Sequence, residues 1–193
     1  EAMVTCNYAR ALIDGGEPAR AEGILKSILR SRPETAEGWG MLGEALELRQ
    51  AFAEAFESYG RALAASPSQM VIKIKRARIL LEETGEFEEA LTTLDQVYAE
   101  GYASPQSIEL TILANSILGR FDDTRALRDE VERQLGREAS RAMAQSVARR
   151  AAAIARKFGG QVQASTAAAV DEPAKVSTPL RAGVRAAAAS ELE

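Results

Sequence analysis

Between Ala36 and Ala65 the apolar side chains fall into two runs with the same rhythm. Trp39, Leu42, Gly43 and Leu46 recur at i, i+3, i+4 and i+7; after a polar break around Gln50, Phe52, Ala55, Phe56, Tyr59 and Ala62 do the same. Each run is one face of a helix, so the segment predicts a helical hairpin. Gly43 stands in a helix interior, where glycine is unfavourable. Its presence beside Ala55 predicts that the two helices cross closely there, with Trp39 as a core residue filling the gap one turn earlier.

The hairpin recurs. Gly16, Gln50, Gly85 and Gly119 lie 34, 35 and 34 residues apart. Two positions on come Pro18, Phe52, Phe87 and Phe121; then Ala21, Ala55, Ala90 and Thr124; then Leu25, Tyr59, Leu94 and Arg128; then Ile28, Ala62, Val97 and Val131. Pro33 and Pro67 close the first two units. One such hairpin cannot bury both of its faces, so its neighbours must stack on it.

The period, together with W-x2-LG, A-x3-Y-x2-A and P in Trp39, Leu42, Gly43, Ala55, Tyr59, Ala62 and Pro67, resembles the tetratricopeptide repeat. The turn GEFEEA at 85–90 is similar to the same family's entry into its second helix. The resemblance covers about residues 2–136 and implies an all-α fold: a right-handed α-solenoid of about four hairpins over 1–136. Departures are local. Thr5 replaces the tryptophan of the first unit, and the last hairpin carries Thr124 and Arg128 in columns that are otherwise alanine and apolar. The third unit holds one residue too many, so that spacing from Gly43 puts Ala77 at the close crossing while its own turn puts Arg78 there.

Beyond Gly136, residues 137–158 form a basic amphipathic stripe (Met143, Val147, Ala151, Ile154, Phe158) that ends at Gly159-Gly160. They carry six basic side chains against one acid, whereas the repeats sum to −8. This helix is read as a cap on the last repeat, with docking on another protein or subunit, or on an anionic membrane, as the lesser alternatives. Residues 159–193, rich in alanine and poor in large apolar residues, read as a disordered tail.

The bulk composition removes chemistry rather than adding it. With no histidine and only Cys6, the chain has no Ser/His/Asp triad, imidazole-ligated zinc site, CxxC pair or internal disulfide. No metal or cofactor is expected, and the chain reads as a non-enzyme. Cys6 itself reads as a small, semi-buried side chain. The acidic repeats and the lack of aromatics among the arginines argue against nucleic acid.

In the family, the first helix of each hairpin lines a concave groove that receives a peptide or helix of a partner protein. On that frame the groove residues are Met3, Asn7 and Arg10; Met41, Glu44 and Leu48; Ile72, Lys75, Arg76 and Ile79; and Glu109, Leu110 and Leu113, with Lys75 and Arg76 facing Glu44. A subgroup that clamps C-terminal carboxylates would need a lysine, asparagine and arginine set at Cys6, Arg10, Met41, Ile72 and Arg76. Only Arg76 fits, and both asparagines are missing, so that reading is rejected.

The expected function is therefore a non-catalytic scaffold or adaptor; helix 137–158 is a candidate second contact, and whether an unfilled edge stacks on a second copy to give a homo-oligomer is left open by the sequence. The alternatives are a regulatory or recruiting module of a larger enzyme, or a secretion or pilus-assembly component of the cell envelope. No apolar run spans a bilayer and no secretory signal opens the chain, so the location is read as cytoplasmic. Since the first residue is Glu1, it would be periplasmic or envelope-associated had an upstream signal been removed.

Overall fold

The structure, a computed structural model, describes the backbone of residues 2–169 and the side chains of residues 4–159. Among the described residues every regular element is helical: α1 (Ala2–Asp14), α2 (Pro18–Ser31), α3 (Ala36–Leu48), α4 (Phe52–Ala65), α5 (Met70–Ile79), a π-helical turn (Leu80–Thr84), α6 (Phe87–Ala99), α7 (Pro105–Ile117) and α8 (Phe121–Ala169). The fold is all-α, as the periodicity implies. The chain divides into two compact units, Glu1–Ile79 and Leu80–Glu193.

The recurring glycine column is a column of left-handed turns. Gly16, Gln50, Gly85 and Gly119 have φ of 76°, 60°, 77° and 74°, and they end the first helix of each hairpin. Just past each, a backbone N–H returns to a carbonyl of the last helical turn: Glu17 to Leu12 (2.8 Å), Ala51 to Leu46 (2.9 Å) and Arg120 to Asn115 (2.9 Å), all five residues back. This hydrogen bond satisfies a carbonyl that the helix end would leave orphaned. In the third unit the same bond runs from Glu86 to Leu80 (3.0 Å), six residues back. The π turn at Leu80–Thr84 is therefore where the extra residue goes, since a π turn takes one more residue than an α turn. Ala77 stays fully buried, and Arg78 turns aside to an ion pair with Glu47 (2.5 Å).

In the first unit, α1 to α4 form two hairpins, with α5 packed on α4. Its core runs from Cys6 and Ala9 through Ala21, Leu25, Leu42 and Leu46 to Ala55, Tyr59 and Ala62. The close crossing is where it is expected, but its filler differs. Tyr59, completely buried, lies against Gly43. Trp39 is only partly buried at the margin, where its indole N–H donates to the Pro33 carbonyl (2.7 Å) and the Arg61 guanidinium stacks 4.7 Å from the ring. The Tyr59 ring already fills the space beside Gly43, so Trp39 covers the crossing from outside.

The second unit builds on α6, α7 and α8. α7 opens with Pro105 at its first turn and a reciprocal cap, Ser104 accepting from the Ser107 amide (3.1 Å) and Ser107 accepting from the Ser104 amide (3.0 Å). The departures at Thr124 and Arg128 are explained by a rotated face: α8 buries Asp123, Leu127, Glu130 and Val131, while Arg128 is exposed. α8 breaks at Gly136 (φ 87°, ψ 169°), which starts the basic segment. The stop expected at Gly159-Gly160 is a bend at Phe158 (φ −126°, ψ 26°), after which helix resumes to Ala169. The disordered tail expected over 159–193 thus begins, in part, as helix; its remainder, 170–193, lies outside the described residues.

Candidate functional site

The first helices of three successive repeats, α1, α3 and α5, are joined through one carboxylate. Glu44 on α3 accepts from Arg10 of α1 and from Lys75 of α5, the latter at 2.5 Å. Burial alone would raise the Glu44 carboxyl, but the hydrogen bonds and charges of Lys75 and Arg10 outweigh it and hold the group below the usual carboxylate range. Lys75 also sits 6.0 Å from the Tyr59 ring, above the Gly43 crossing.

Around this line the other groove candidates separate by burial. Asn7 and Leu48 are exposed, Leu48 with 58% of its surface in solvent. Met41, Ile72 and Ile79 are buried, at 2%, 7% and 1%, so they support the face rather than present themselves on it. The reason is general: apolar side chains of these helices also pack against neighbouring repeats, and hydrophobicity favours the dry side. Met3 lies outside the described side chains.

Arg76 departs from its expected role. Its guanidinium lies 4.0 Å over the ring of Phe56, on α4, and does not join Lys75 in facing Glu44. Adjacent helix positions point about 100° apart, so two neighbouring cations cannot share a narrow face. The pair that does share it is Glu47 with Arg78. Its spacing, 31 residues, is the same as that of Glu44 with Lys75, and this was the signal available in the sequence.

Glu109 is placed in the second unit and is not part of this line. It accepts from Ser146 (2.6 Å) and Arg150 (2.8 Å), both on α8, while Leu110 and Leu113 are fully buried. Cys6 is more buried than expected, at 2%, and burial, with the Glu37 carboxylate second, pushes its thiol up, away from reactive thiolate.

Among the described residues, no group of three or more His, Cys, Asp or Glu side chains could hold a metal ion, and no helix is long and apolar enough to cross a membrane. What the site offers is a surface: alternating charge at its centre, with polar and apolar side chains exposed beside it. Surfaces of this build, on stacked helical hairpins of about 34 residues, define a class of repeat protein. Residues 7–69, which span α2 to α4 and most of α1, match the family model described as Tetratricopeptide repeat, so this part of the chain is a tetratricopeptide-repeat region. Such repeats generally mediate protein–protein interactions. The sequence has no significant match among curated proteins.

Proposed function

We propose that the chain is a non-catalytic scaffold whose α1, α3 and α5 face receives a peptide or helix of a partner protein. The observation that supports this most is the Arg10, Glu44, Lys75 line, with Asn7 and Leu48 exposed beside it. Arg10 and Lys75 are held in place by Glu44, which fixes their position before any partner arrives and lowers the entropy lost on binding. Leu48 supplies an exposed apolar contact within reach of water, and Asn7 supplies both donors and acceptors. A partner presenting an acidic side chain toward Arg10 and an apolar one toward Leu48 matches this face.

The test is capture of partners by the full chain compared with R10E/L48D and, as a control, R61A, on α4 and against the Trp39 ring. Loss with the double variant and retention with the control supports the reading. Equal recovery by all three proteins would refute it.

A further inference from the structure

We infer that the second unit carries a docking surface for a basic amphipathic helix, built from Glu82, Glu83, Glu109 and Phe87, which the chain's own 137–158 segment fills. This surface is separate from the face proposed above, so either can fail without the other.

The charge distribution comes first. Residues 1–79 hold ten acidic and eleven basic side chains, but residues 80–136 hold thirteen acidic and four basic. The acidity of the repeats therefore belongs entirely to the second unit. Onto this unit folds a segment with six basic side chains and one acid.

The contacts are specific rather than diffuse. Arg150 bridges two carboxylates, Glu82 (2.7 Å) and Glu109 (2.8 Å), and all three side chains are only 22–23% exposed. One heptad further, about two helical turns, Lys157 donates to Glu83 (2.5 Å) and to the Glu82 backbone carbonyl (2.9 Å). Phe158 meets Phe87 edge to face, with ring centroids 6.1 Å apart. Ser140, Val147 and Ile154, seven residues apart, are the buried positions between them. The recognised pattern is an apolar residue followed three places later by a cation, twice in succession: Val147 with Arg150, Ile154 with Lys157. Arg141, Arg149 and Arg156 are exposed and take no part in it.

A helix that only closed the last hairpin would meet α7 and the first segment of α8. This one passes beyond α7 to the π turn and to the head of α6. It lies over the side of α7 that carries Glu109. Half-buried ion pairs contribute less to stability than apolar packing would, but they penalise a mismatched partner strongly, which suits a site that selects its ligand. Gly136, with its left-handed φ, is the joint about which the segment would swing away. The partner that fits in its place is a helix of another protein with two cations seven residues apart and an apolar residue three places before each.

The experiment uses a fluorescent synthetic peptide of residues 139–158 and the full-length chain, read by anisotropy. The R150E/K157E chain should bind this peptide at least about tenfold more tightly than the wild type, whose own segment competes. Adding E109K to that variant should abolish binding, and the peptide carrying R150E/K157E should not bind. Equal affinity for wild type and variant, binding indifferent to E109K, or no binding to a variant with native helical content overturns the inference. Should charge reversal cost the fold, R150Q/K157Q reads the same difference in affinity by the same criteria.

Discussion

Tyr59 occupies the volume that any side chain at Gly43 would need: a Cβ there would lie 2.3 Å from the ring's Cε1 and 2.5 Å from Cδ1. The ring is fully buried and packed on all sides, so it has nowhere to retreat. Gly43→Ala should therefore destabilise the protein in spite of alanine's better helix propensity, by about 1–3 kcal/mol. Urea unfolding of the two proteins measures this, and an alanine variant as stable as wild type would contradict the packing described.

At Gln50 the fold accepts a residue where its other three hairpins use glycine. Its φ of 60° is left-handed, and its side chain is exposed. A non-glycine residue in that region carries a penalty of about 1 kcal/mol or more. Gln50→Gly should raise stability by about 1 kcal/mol after the added entropy of the unfolded chain is offset, visible as a higher urea midpoint at unchanged slope.

Glu44 makes the fold sensitive to acid. Its carboxyl is lower in the folded chain than in the unfolded one, so the carboxylate's contribution is present above the unfolded value of about 4.3 and is lost as pH falls through the folded value. Wild type should exceed Glu44→Gln in thermal stability at neutral pH, with the gap closing below about pH 4. A gap independent of pH would show that Glu44 acts by packing alone.

Tyr98 behaves oppositely, at alkaline pH. Burial pushes its phenol up to about 12, with hydrogen bonds involving Ser107 and Thr111 opposing that rise. Raised above the unfolded value of about 10, it contributes stability that is complete below that pH and is lost as pH climbs through the folded value. Burial, with the Glu47 and Glu44 charges, also raises Tyr59. Two of the four tyrosines should thus form tyrosinate only as the protein unfolds, which an absorbance titration beside a circular dichroism titration detects.

The buried pair Tyr98 and Thr111, with oxygens 2.9 Å apart, yields a further expectation. Thr111→Val keeps the shape and removes the hydroxyl, leaving the Tyr98 hydroxyl short of a partner inside the second unit. The loss should be about 1–3 kcal/mol, whereas Thr111→Ser should recover most of it. Thermal melts of both variants check this.

The all-α hairpins and their period were legible in the sequence because they depend on a local fact, a 3.6-residue apolar rhythm, whereas the left-handed backbone of the recurring turn column came only with the structure. Even the misfit of one residue in the third unit could be counted, although only the hydrogen bond from Glu86 to Leu80 shows the π turn that absorbs it. Which side chain fills a crossing, which cation faces a groove and where a terminal helix lies are questions of another kind. Trp39 and Tyr59 are both large rings near Gly43, and nothing in their spacing says which one enters. Lys75 and Arg76 are adjacent cations, yet only one reaches Glu44. The 137–158 stripe announces an apolar face and a charge, but the residues that receive it, Glu82 and Glu109, lie 68 and 41 positions away from Arg150. Local periodicity governs how each helix forms; contact between residues distant in the chain depends on the volume and charge that neighbouring helices present, and that is settled only when the helices pack.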